Sequence, residues 1–585
     1  MIRLNLRALR ASFESDRFIE KGRKMTKGRE FFQDGPQLKN QYDDDVVLRH
    51  YLMRVLPPTM LRSVEPGLRL FGAHVADNIL LLGKTAEASP PRHVPYDAWG
   101  KRIDRIETSE AWKELGRIAA KTGLVSEAYG RQYGVYSRIL QFARVYLFGA
   151  SSALYTCPLA MTDGAARAIE LYGDGALKQG AFKKLTSSDP ADFWTSGQWM
   201  TEREGGSDVG RSATTAVPAR GGYRLSGTKW FTSAIDAPMA MTLARIKGAT
   251  EGNRGLSLFY LETHDKRGAW NHITVHRLKD KLGTKAVPTA EVTMERTRAT
   301  LVGEAGKGVR EITTILNITR VWNACEAVSL MRRSIALARD YALRREAFGG
   351  ILAEKPAHLE TLAALETEFR GAFALTFKVV ELLGKEEAGV AAAQELVLLR
   401  LLTPIAKLFT AKQAVAVASE ALECFGGAGY IEDTDLPRLL RDAQVLSTWE
   451  GTTNVLALDV LRVIGEVGAL DCFSAYVTKR LEDIRPLGSC GLVLPIRDAT
   501  ESLVQHWGTL RNLSRESQEV NARAISFGIA RIAIACELLI VARWATENGL
   551  GEQATIAARR WCRTPLFSPH FPSLSDARLL ACASE

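Results

Sequence analysis

One carboxylate has neighbours that favour proton transfer, in the stretch DAQVLSTWEGTTN from Asp442 to Asn454. Glu450 lies between Trp449 and Gly451, and an adjacent indole partly desolvates a carboxylate, which makes it a better proton acceptor near neutral pH. Gly451 lets the backbone pass close to a ligand, and the two threonines that follow offer hydroxyls to a polar cofactor. Glu450 is therefore a candidate base. The alternative is an ordinary turn at a helix start, with the glutamate in water.

A second stretch with binding chemistry is MTEREGGSDVG, residues 200–210, followed by GTKWFTSA, residues 227–234. Two consecutive glycines before Ser207 allow close backbone approach, so that amides and the serine hydroxyl can face a phosphate or the edge of a flavin. Trp230 adds an aromatic face, and hydroxyls follow at Thr232 and at the next residue. The alternative is a glycine-rich turn that joins two strands.

The spacing of the histidines and cysteines does not predict a metal site. His272 and His276 lie in HITVH, an alternating run typical of a strand. Side chains four residues apart on a strand are about 13 Å from each other, too far to share one ion. The 8 cysteines include no CxxC pair, which indicates reduced thiols in an intracellular protein. No apolar run approaches the roughly 20 residues of a membrane span, so we predict none.

Composition indicates a folded protein of several domains. The chain has 585 residues, 46% of them hydrophobic and 24% charged, which excludes disorder as the default. The formal net charge of +10 leaves room for anionic partners, among them nucleotide cofactors, acyl-CoA phosphates, acidic lipid and nucleic acid.

The N-terminus resembles an address signal. MIRLNLRALRASF places Arg3, Arg7 and Arg10 at helical spacing and has no acid before Glu14, as in a mitochondrial presequence. A mitochondrial location is therefore predicted. The alternative is a plain basic tail on a cytoplasmic protein.

Hydrophobic periodicity divides the chain into five segments. Residues 1–45 combine the basic segment with a charged, turn-rich surface arm. Apolar residues recur every three or four positions over 46–195, which predicts an all-helical N-terminal domain. Short alternating runs over 196–301 predict a β-barrel or sandwich. Long amphipathic helices return over 302–470, which predicts a helical bundle that contains Glu450, and 471–585 is predicted to be a helical extension.

The extension also carries arginines at helical spacing. Arg511, Arg515, Arg523 and Arg531 could form a basic face. The alternative is a helix face that meets only water.

Three further stretches bring the number of sequence motifs to five. They are LRREAFGG over 343–350, FGGAGYIEDTDLPRLLRDA over 425–443, and the WEGTTN turn already described. Together with MTEREGGSD and KWFTSA, in this order and spacing, they resemble the acyl-CoA dehydrogenase family over about 46–468. The spelling MTEREGGSD, the KDKLG run and the C-terminal extension are most similar to its AidB-like branch. The resemblance implies a mainly α fold with a central β domain.

The resemblance also implies FAD as the cofactor and a homotetramer in which each FAD contacts two subunits. The residues that would contact FAD are Met200, Thr201, Gly206, Ser207, Trp230, Thr232, Ser233, Arg345, Phe348, Gly426, Gly427, Thr452 and Asn454. Of these, Arg345, Phe348, Gly426 and Gly427 would meet the FAD of another subunit. Ser207, Arg320 and Gly451 would contact the substrate. For Arg320 the alternative is a pair with a neighbouring acid.

On the same resemblance, Glu450 matches the family's catalytic glutamate. It would remove the α-proton of a medium- or long-chain acyl-CoA while hydride leaves the β-carbon for flavin N5, so base and flavin must lie on opposite faces of the acyl chain. The backbone amide of Glu450 would help to polarise the thioester carbonyl. An electron-transfer flavoprotein would then accept the electrons.

Some positions depart from the family pattern. Arg203 and Glu204 replace a Pro-Gly pair, Ala347 replaces a common threonine, and Pro356 replaces a glutamine that often meets the cofactor. They leave a second hypothesis open: a FAD-containing acyl-CoA sensor or sequestering protein, or a nucleic-acid-associated stress flavoprotein with little turnover. The extra C-terminal helices and the +10 charge favour this alternative.

Overall fold

The computed structural model describes residues 34–484 and 490–582. Helices predominate, and the strands of the main sheet lie in the middle of the chain, between two helical regions. The prediction of a mainly α fold with a central β region is therefore confirmed. The predicted targeting segment lies in residues 1–33, outside the described residues.

The first helical region begins where Asp45 caps a helix, with its Oδ1 accepting the backbone N–H groups of Val47 and Leu48 at 3.0 Å each. Its helices are α1 (Val46–Val55), α2 (Pro58–Ala76), α3 (Asn78–Ala88), α4 (Glu110–Lys121), α5 (Ser126–Gly130), α6 (Ser137–Gly149) and α7 (Thr156–Tyr172). Between α3 and α4 lies an antiparallel hairpin of β1 (Arg92–Tyr96) and β2 (Arg102–Glu107). This hairpin departs from the all-helical prediction.

The last residues of the predicted surface arm are buried, in contrast to the exposed segment that the sequence predicted. Tyr42 and Asp45 are each 1% exposed, so this part of the arm belongs to the core. Asp45 Oδ2 accepts a hydrogen bond from the hydroxyl of Tyr146, and it lies 3.3 Å from Nε of Arg332. Partners this far along the chain are invisible to a local reading of composition, which sees only a polar run.

The central β region is a closed barrel. Its strands are β3 (Ser196–Trp199), β4 (Thr215–Ala219), β5 (Gly222–Ser233), β6 (Met239–Ile246), β7 (Leu256–Glu262), β8 (Ile273–Leu278) and β9 (Thr289–Val302). The pairings β6–β4–β5–β9–β7 return to β6, which closes the ring, while β3 adds to β6 and β8 adds to β9. A closed ring has no long free strand edge, so of the two predicted alternatives the β region is a barrel and not a sandwich.

The chain then returns to long helices. They are α8 (Gly308–Ala342), α9 (Pro356–Glu387), α10 (Ala393–Glu423), α11 (Leu436–Leu446) and α12 (Thr453–Val467), with a small hairpin of β10 (Glu346–Ala347) and β11 (Gly350–Ile351) after α8. At 35 residues, α8 is about 52 Å long. It packs on α7 on one side and on α10 on another, so it joins the first helical region to the bundle.

The C-terminal part is helical, as expected. It comprises α13 (Ala469–Ile484), α14 (Cys490–Leu510), α15 (Arg515–Glu547), α16 (Gln553–Cys562) and α17 (Leu574–Ala581). The guanidinium of Arg531 donates to the carbonyl of Pro565 at 2.9 Å and lies over the Trp561 ring. Arg531 is therefore tied to its own domain and does not contribute to a basic face.

Two helices, α10 and α15, are long and apolar enough to cross a membrane by length and composition. Of their most apolar 18-residue stretches, 83% and 72% of residues are buried against other parts of the protein. A sequence reading that counted only uninterrupted apolar runs missed this property. Both are buried core helices, α10 in the bundle and α15 in the C-terminal part.

Candidate active site

The candidate base lies in a tight turn between α11 and α12. Glu450 has a φ of 57° and Gly451 a φ of 102°, so two successive residues adopt the left-handed region. This conformation costs a glutamate free energy, and it persists only where the surrounding structure holds it. The turn does stand at a helix start, as the alternative interpretation had it, but its geometry is strained.

The Glu450 side chain does not extend into water. It is half-buried, and the hydroxyl of Thr319 on α8 donates to its Oε2 at 2.6 Å. One carboxylate oxygen is thereby oriented, and Oε1 stays available as an acceptor. The glutamate-in-water interpretation is wrong.

Two cationic side chains hold the backbone of this turn. Nζ of Lys407, on α10, donates to the carbonyl of Gly451 at 2.6 Å, and Nε of Arg320, on α8, points to the carbonyl of Glu450 at 3.4 Å. Burial lowers the pKa of Lys407 to about 7, and the Glu450 carboxylate opposes this shift. We refer to Thr319, Arg320 and Lys407 as the turn clamp.

Arg320 also pairs with an acid behind the turn. Its Nη1 lies 3.2 Å from Oδ2 of Asp459, which is further bound by Arg400 at 2.7 Å. Burial raises the pKa of Asp459, but the hydrogen bond from Arg400 and the charges of Arg400 and Arg320 outweigh it and bring the pKa to about 2. The pairing alternative for Arg320 is confirmed, and its contact with substrate stays a prediction.

The two motifs of the barrel are adjacent in space. The backbone N–H of Trp230 donates to the carbonyl of Thr201 at 2.9 Å. A buried pair reinforces this link, because Nζ of Lys229 lies 2.7 Å from Oε1 of Glu202. Sequence reasoning missed this pair; its only signal was a charged residue in each motif.

The predicted flavin contacts at the barrel have different surroundings. Met200 is buried, Thr201 is half-buried, and Gly206 and Ser207 are exposed at the rim. Thr232 donates its hydroxyl hydrogen to the carbonyl of Ala290 at 2.8 Å, so it can only accept from a ligand.

The remaining barrel residues in the set are Ser233 and Trp230. The Ser233 hydroxyl lies 3.3 Å from that of Thr289. At Trp230, Nζ of Lys279 lies 3.6 Å and the guanidinium of Arg203 4.9 Å from the ring centroid. A flavin that stacks on Trp230 has to share or replace these cation contacts.

A lysine and a cysteine that sequence reasoning did not single out also reach this region. Nζ of Lys281 donates to the carbonyl of Val287 at 2.6 Å and to the hydroxyl of Thr289 at 3.2 Å. Burial lowers its pKa to about 8. Burial raises the pKa of the Cys157 thiol to about 12, and the charge of Lys281 opposes this shift. The KDKLG run was the only sign of Lys281.

The face of α8 that carries Thr319 continues with two buried polar side chains. Asn323 and Glu326 follow four and seven residues later, about 6 and 10 Å along the helix. The amide of Asn323 has no hydrogen-bond partner within residues 34–484 and 490–582, and the carboxylate of Glu326 is buried beside the hydroxyl of Thr156. Burial raises the pKa of Glu326 to about 7. Such groups cost free energy, so we expect them to gain partners when the site is filled.

The remaining predicted contacts lie outside this neighbourhood. Phe348, at the tip of the β10–β11 hairpin, is 94% exposed, and Gly426 and Gly427 after α10 are exposed as well. The rings of Tyr341 and Phe425 lie 5.0 Å apart and hold the ends of α8 and α10 together. The structure thus brings the LRREAFGG and FGGAG segments to one surface.

The last three predicted residues lie near these segments or beside the turn. Arg345 precedes the hairpin and is half-buried. Thr452 is exposed and does not cap α12 with its side chain, so its hydroxyl is accessible to a ligand. Asn454 is exposed, and its Oδ1 lies 3.5 Å from Nη1 of Arg523 on α15.

The donor and acceptor set fits a flavin nucleotide. Gln198 Oε1, two residues before Met200, is buried and has no partner in the described part of the chain, which suits a ligand N–H group. A Cβ added at Gly426 or Gly427 would meet nothing within 4 Å, so this glycine surface is open to a phosphate or an adenosine. The described residues contain no cluster of three or more His, Cys, Asp or Glu that could hold a metal ion.

Comparison with family models covers nearly the whole described chain. Residues 36–190 match the adaptive response protein AidB N-terminal domain, 197–297 the acyl-CoA dehydrogenase middle domain, and 306–465 the acyl-CoA dehydrogenase C-terminal domain. Residues 468–574 match a domain described as acyl-CoA dehydrogenase 11 C-terminal domain-like.

Individual relatives agree with these models. Acyl-CoA dehydrogenase family member 11 of Caenorhabditis elegans is 42% identical over 571 residues, covering 94% of this chain and 92% of the relative. The putative acyl-CoA dehydrogenase AidB of Escherichia coli is 32% identical over 415 residues, covering 69% and 75%. The crystal structure of C. elegans ACDH-11 in complex with C11-CoA has a TM-score of 0.92 at 40% identity, covering 96% of this chain and 98% of that one.

Proposed function

Because the chain belongs to the acyl-CoA dehydrogenase family, whose cofactor is FAD, we propose that Glu450 removes the α-proton of a medium- or long-chain acyl-CoA. The observation that carries this proposal is the Glu450 carboxylate in a strained turn, oriented by Thr319. The free Oε1 is the atom that would take the proton.

The backbone of the turn is suited to polarise the thioester carbonyl of the substrate. Arg320 and Lys407 of the turn clamp donate to the carbonyls of Glu450 and Gly451. Among the described residues, no backbone carbonyl accepts a hydrogen bond from the Glu450 N–H. A fixed, unoccupied amide is a suitable donor for the thioester carbonyl, where negative charge develops as the α-proton leaves. Bound FAD supplies the acceptor, at flavin N5, for the hydride from the β-carbon.

The proposed chain length rests on a relative. The C. elegans structure is described as a complex with C11-CoA, and the similarity to it extends over 96% of this chain. A medium or long acyl group is therefore the class that we assign.

The test is an anaerobic visible spectrum of the purified holoprotein, titrated with acyl-CoAs of increasing length. One length class should bleach the oxidised flavin band, and Glu450→Gln should lower the rate of bleaching by about 1,000-fold because a general base contributes on this order. FAD content and acyl-CoA affinity should stay the same in the variant. Equal bleaching by wild type and Glu450→Gln would overturn the assignment of the base.

A second candidate function is binding with little turnover, as an acyl-CoA sensor or a nucleic-acid-associated stress flavoprotein. The similarity to AidB and the formal charge of +10 favour it. In the titration, a flavin band that shifts without bleaching at any chain length would support this candidate. Nucleic-acid binding would appear at low salt and weaken steeply as salt is added.

We further propose a homotetramer that passes electrons to an electron-transfer flavoprotein. Exposed apolar side chains support an interface near the FGGAG segment: Phe348 is 94%, Tyr430 91% and Ile431 52% exposed. The arginine-rich start supports a mitochondrial location. Imaging of the full chain with and without residues 1–33 tests the location.

A further inference from the structure

The face of α8 that orients Glu450 carries a buried amide one helical turn further on. Asn323 is 5% exposed, and neither its Oδ1 nor its Nδ2 has a hydrogen-bond partner among the described residues. A primary amide offers two N–H donors and two acceptor lone pairs. Leaving all of them unpaired in the interior costs free energy, and an apolar side chain of the same size would avoid this cost. Asn323 therefore fits a site that a polar ligand atom fills.

Asn323 lies between the candidate base and a closed end of this face. The hydroxyl of Thr319 donates to Glu450. Asn323 follows Thr319 by about 6 Å along the helix, and Glu326 follows it by about 10 Å. Glu326 is 3% exposed, and a Cβ added at Gly149, the last residue of α6, would lie 2.5 Å from its Oε2. The Glu326 carboxylate thus fills the space over α6, so a chain that leaves the base along α8 passes Asn323 first.

The start of α7 places the same region beside a predicted cofactor contact. Thr156, the first residue of α7, has its hydroxyl beside the Glu326 carboxylate. Burial raises the pKa of the next side chain, the Cys157 thiol, to about 12; the charge of Glu450 acts in the same direction, and a hydrogen bond with Ser233 opposes it. Cys157 therefore lies close both to the base and to a predicted flavin contact. This face of α8 and the start of α7 are two walls of the space next to the base.

We infer that the substrate is a medium- or long-chain acyl-CoA whose chain carries a hydroxyl group, and that Asn323 binds this hydroxyl. A hydroxyl both donates and accepts, so it can pair with whichever amide atom, Oδ1 or Nδ2, faces the chain. An oxo group could pair with Nδ2 only, and a plain hydrocarbon with neither. Because Asn323 is one helical turn beyond the residue that orients the base, the hydroxyl stands further along the chain than the α- and β-carbons. The inference rests on the proposed function, since it requires an acyl-CoA beside Glu450.

The test measures binding and not turnover. Holoprotein with Glu450→Gln is titrated with decanoyl-CoA and with hydroxydecanoyl-CoAs whose hydroxyl moves one carbon at a time from the γ-position to the end of the chain. The dissociation constants are obtained from the shift of the flavin absorption band and by calorimetry. At least one hydroxydecanoyl-CoA should bind about tenfold or more tightly than decanoyl-CoA, because a plain chain leaves the buried amide unpaired.

One substitution and a matched control locate the contact, both in the Glu450→Gln protein. Asn323→Leu keeps the size of the side chain and removes its polar atoms, so the dissociation constants of decanoyl-CoA and of the preferred hydroxydecanoyl-CoA should become equal. Asn317→Leu is the control, because this half-buried amide lies two positions before Thr319 and therefore on another face of α8. It should keep the preference. The melting temperature and the FAD content show that each variant is folded.

Two results would overturn the inference and leave the proposed function standing. One is equal affinity for decanoyl-CoA and every hydroxydecanoyl-CoA, which would assign the Asn323 amide to water. The other is an unchanged preference in Asn323→Leu. In contrast, a protein that binds none of these acyl-CoAs would overturn the proposed function, and the inference would fall with it.

Discussion

The base turn and the exposed glycine surface are both predicted to meet FAD, but they are built in opposite ways. Around Glu450 the strained backbone is held by the turn clamp, from two long helices of the same chain. Around Phe348 and Gly427 the residues are exposed, and a Cβ at Gly427 would meet open space. The proposed base and its supports all lie in one chain, whereas the proposed cofactor contacts at the glycine surface would require a second one.

This difference gives the two regions different sensitivities. A clamp made of buried side chains fails when one of them is lost, because nothing else can fill the position. An exposed surface tolerates substitution within the chain and shows its effect only upon assembly.

Lys407→Met removes the amino group that donates to the Gly451 carbonyl. We expect kcat to fall about 100-fold, because a small displacement of a catalytic group costs on this order, while the FAD content stays the same. Lys412→Met, at an exposed position on the same helix α10, is the control. Steady-state kinetics measure the kcat of both variants. A kcat of Lys407→Met equal to that of Lys412→Met would show that the reaction does not need the Lys407 contact.

Lys407 should also give stability a pH dependence. Its pKa is lowered from 10.5 to about 7, so between these values the unfolded chain binds a proton that the folded chain does not. The free energy of unfolding therefore rises with pH from about 7 to 10.5 and is lowest, as far as this group contributes, below pH 7. Chemical denaturation across this range should show a steeper rise for wild type than for Lys407→Met. Parallel curves would contradict the lowered pKa.

Thr319→Val keeps the shape of the side chain and removes the hydrogen bond to Glu450. We expect kcat to fall about tenfold, since a hydrogen bond to a charged group stabilises its orientation by an amount of this order. Thr313→Val on the same helix is matched, because that hydroxyl donates to the carbonyl of Val309 within its own helix. A larger loss of kcat in Thr319→Val than in Thr313→Val would support the role of Thr319 in the turn clamp, and equal losses would contradict it.

At the glycine surface, Phe348→Ser should leave the stability of the single chain unchanged, because the ring is 94% exposed. The fraction of tetramer and the retained FAD should both fall several-fold. Trp99→Ser, at another side chain that is 94% exposed, is the control and should change neither. Light scattering and flavin absorbance measure the two quantities; identical behaviour of the variants would remove Phe348 from the interface.

The sequence predicted the parts of this molecule that leave a local pattern. The alternation over 196–301 gave the strands, and the helical period gave the long helices of the bundle. The motif set predicted Glu450 as the base, which stays a prediction, and the structure places this residue in the turn between α11 and α12. In contrast, the β1–β2 hairpin was missed because its two strands, RHVPY and RIDRIE, are short and carry charges.

Long-range partners were beyond such reasoning. Nothing local distinguishes Lys407 or Thr319 from other residues of apolar helices, and their contacts to the turn bridge 44 and 131 positions. Tyr42 and Asp45 were predicted to belong to a polar surface arm for the same reason, because their partners lie far along the chain. Pairing at this distance depends on how helices cross, which periodicity does not encode.

One consequence follows from the continuity of α15. It runs without interruption from Arg523, whose Nη1 lies 3.5 Å from Oδ1 of Asn454 beside the base turn, to Glu537, which is paired with Arg480 of α13, a span of about 21 Å. A helix is stiff along its axis, so α15 acts as a strut between the two places. The C-terminal extension therefore reaches the residues just after the proposed base turn through one continuous helix.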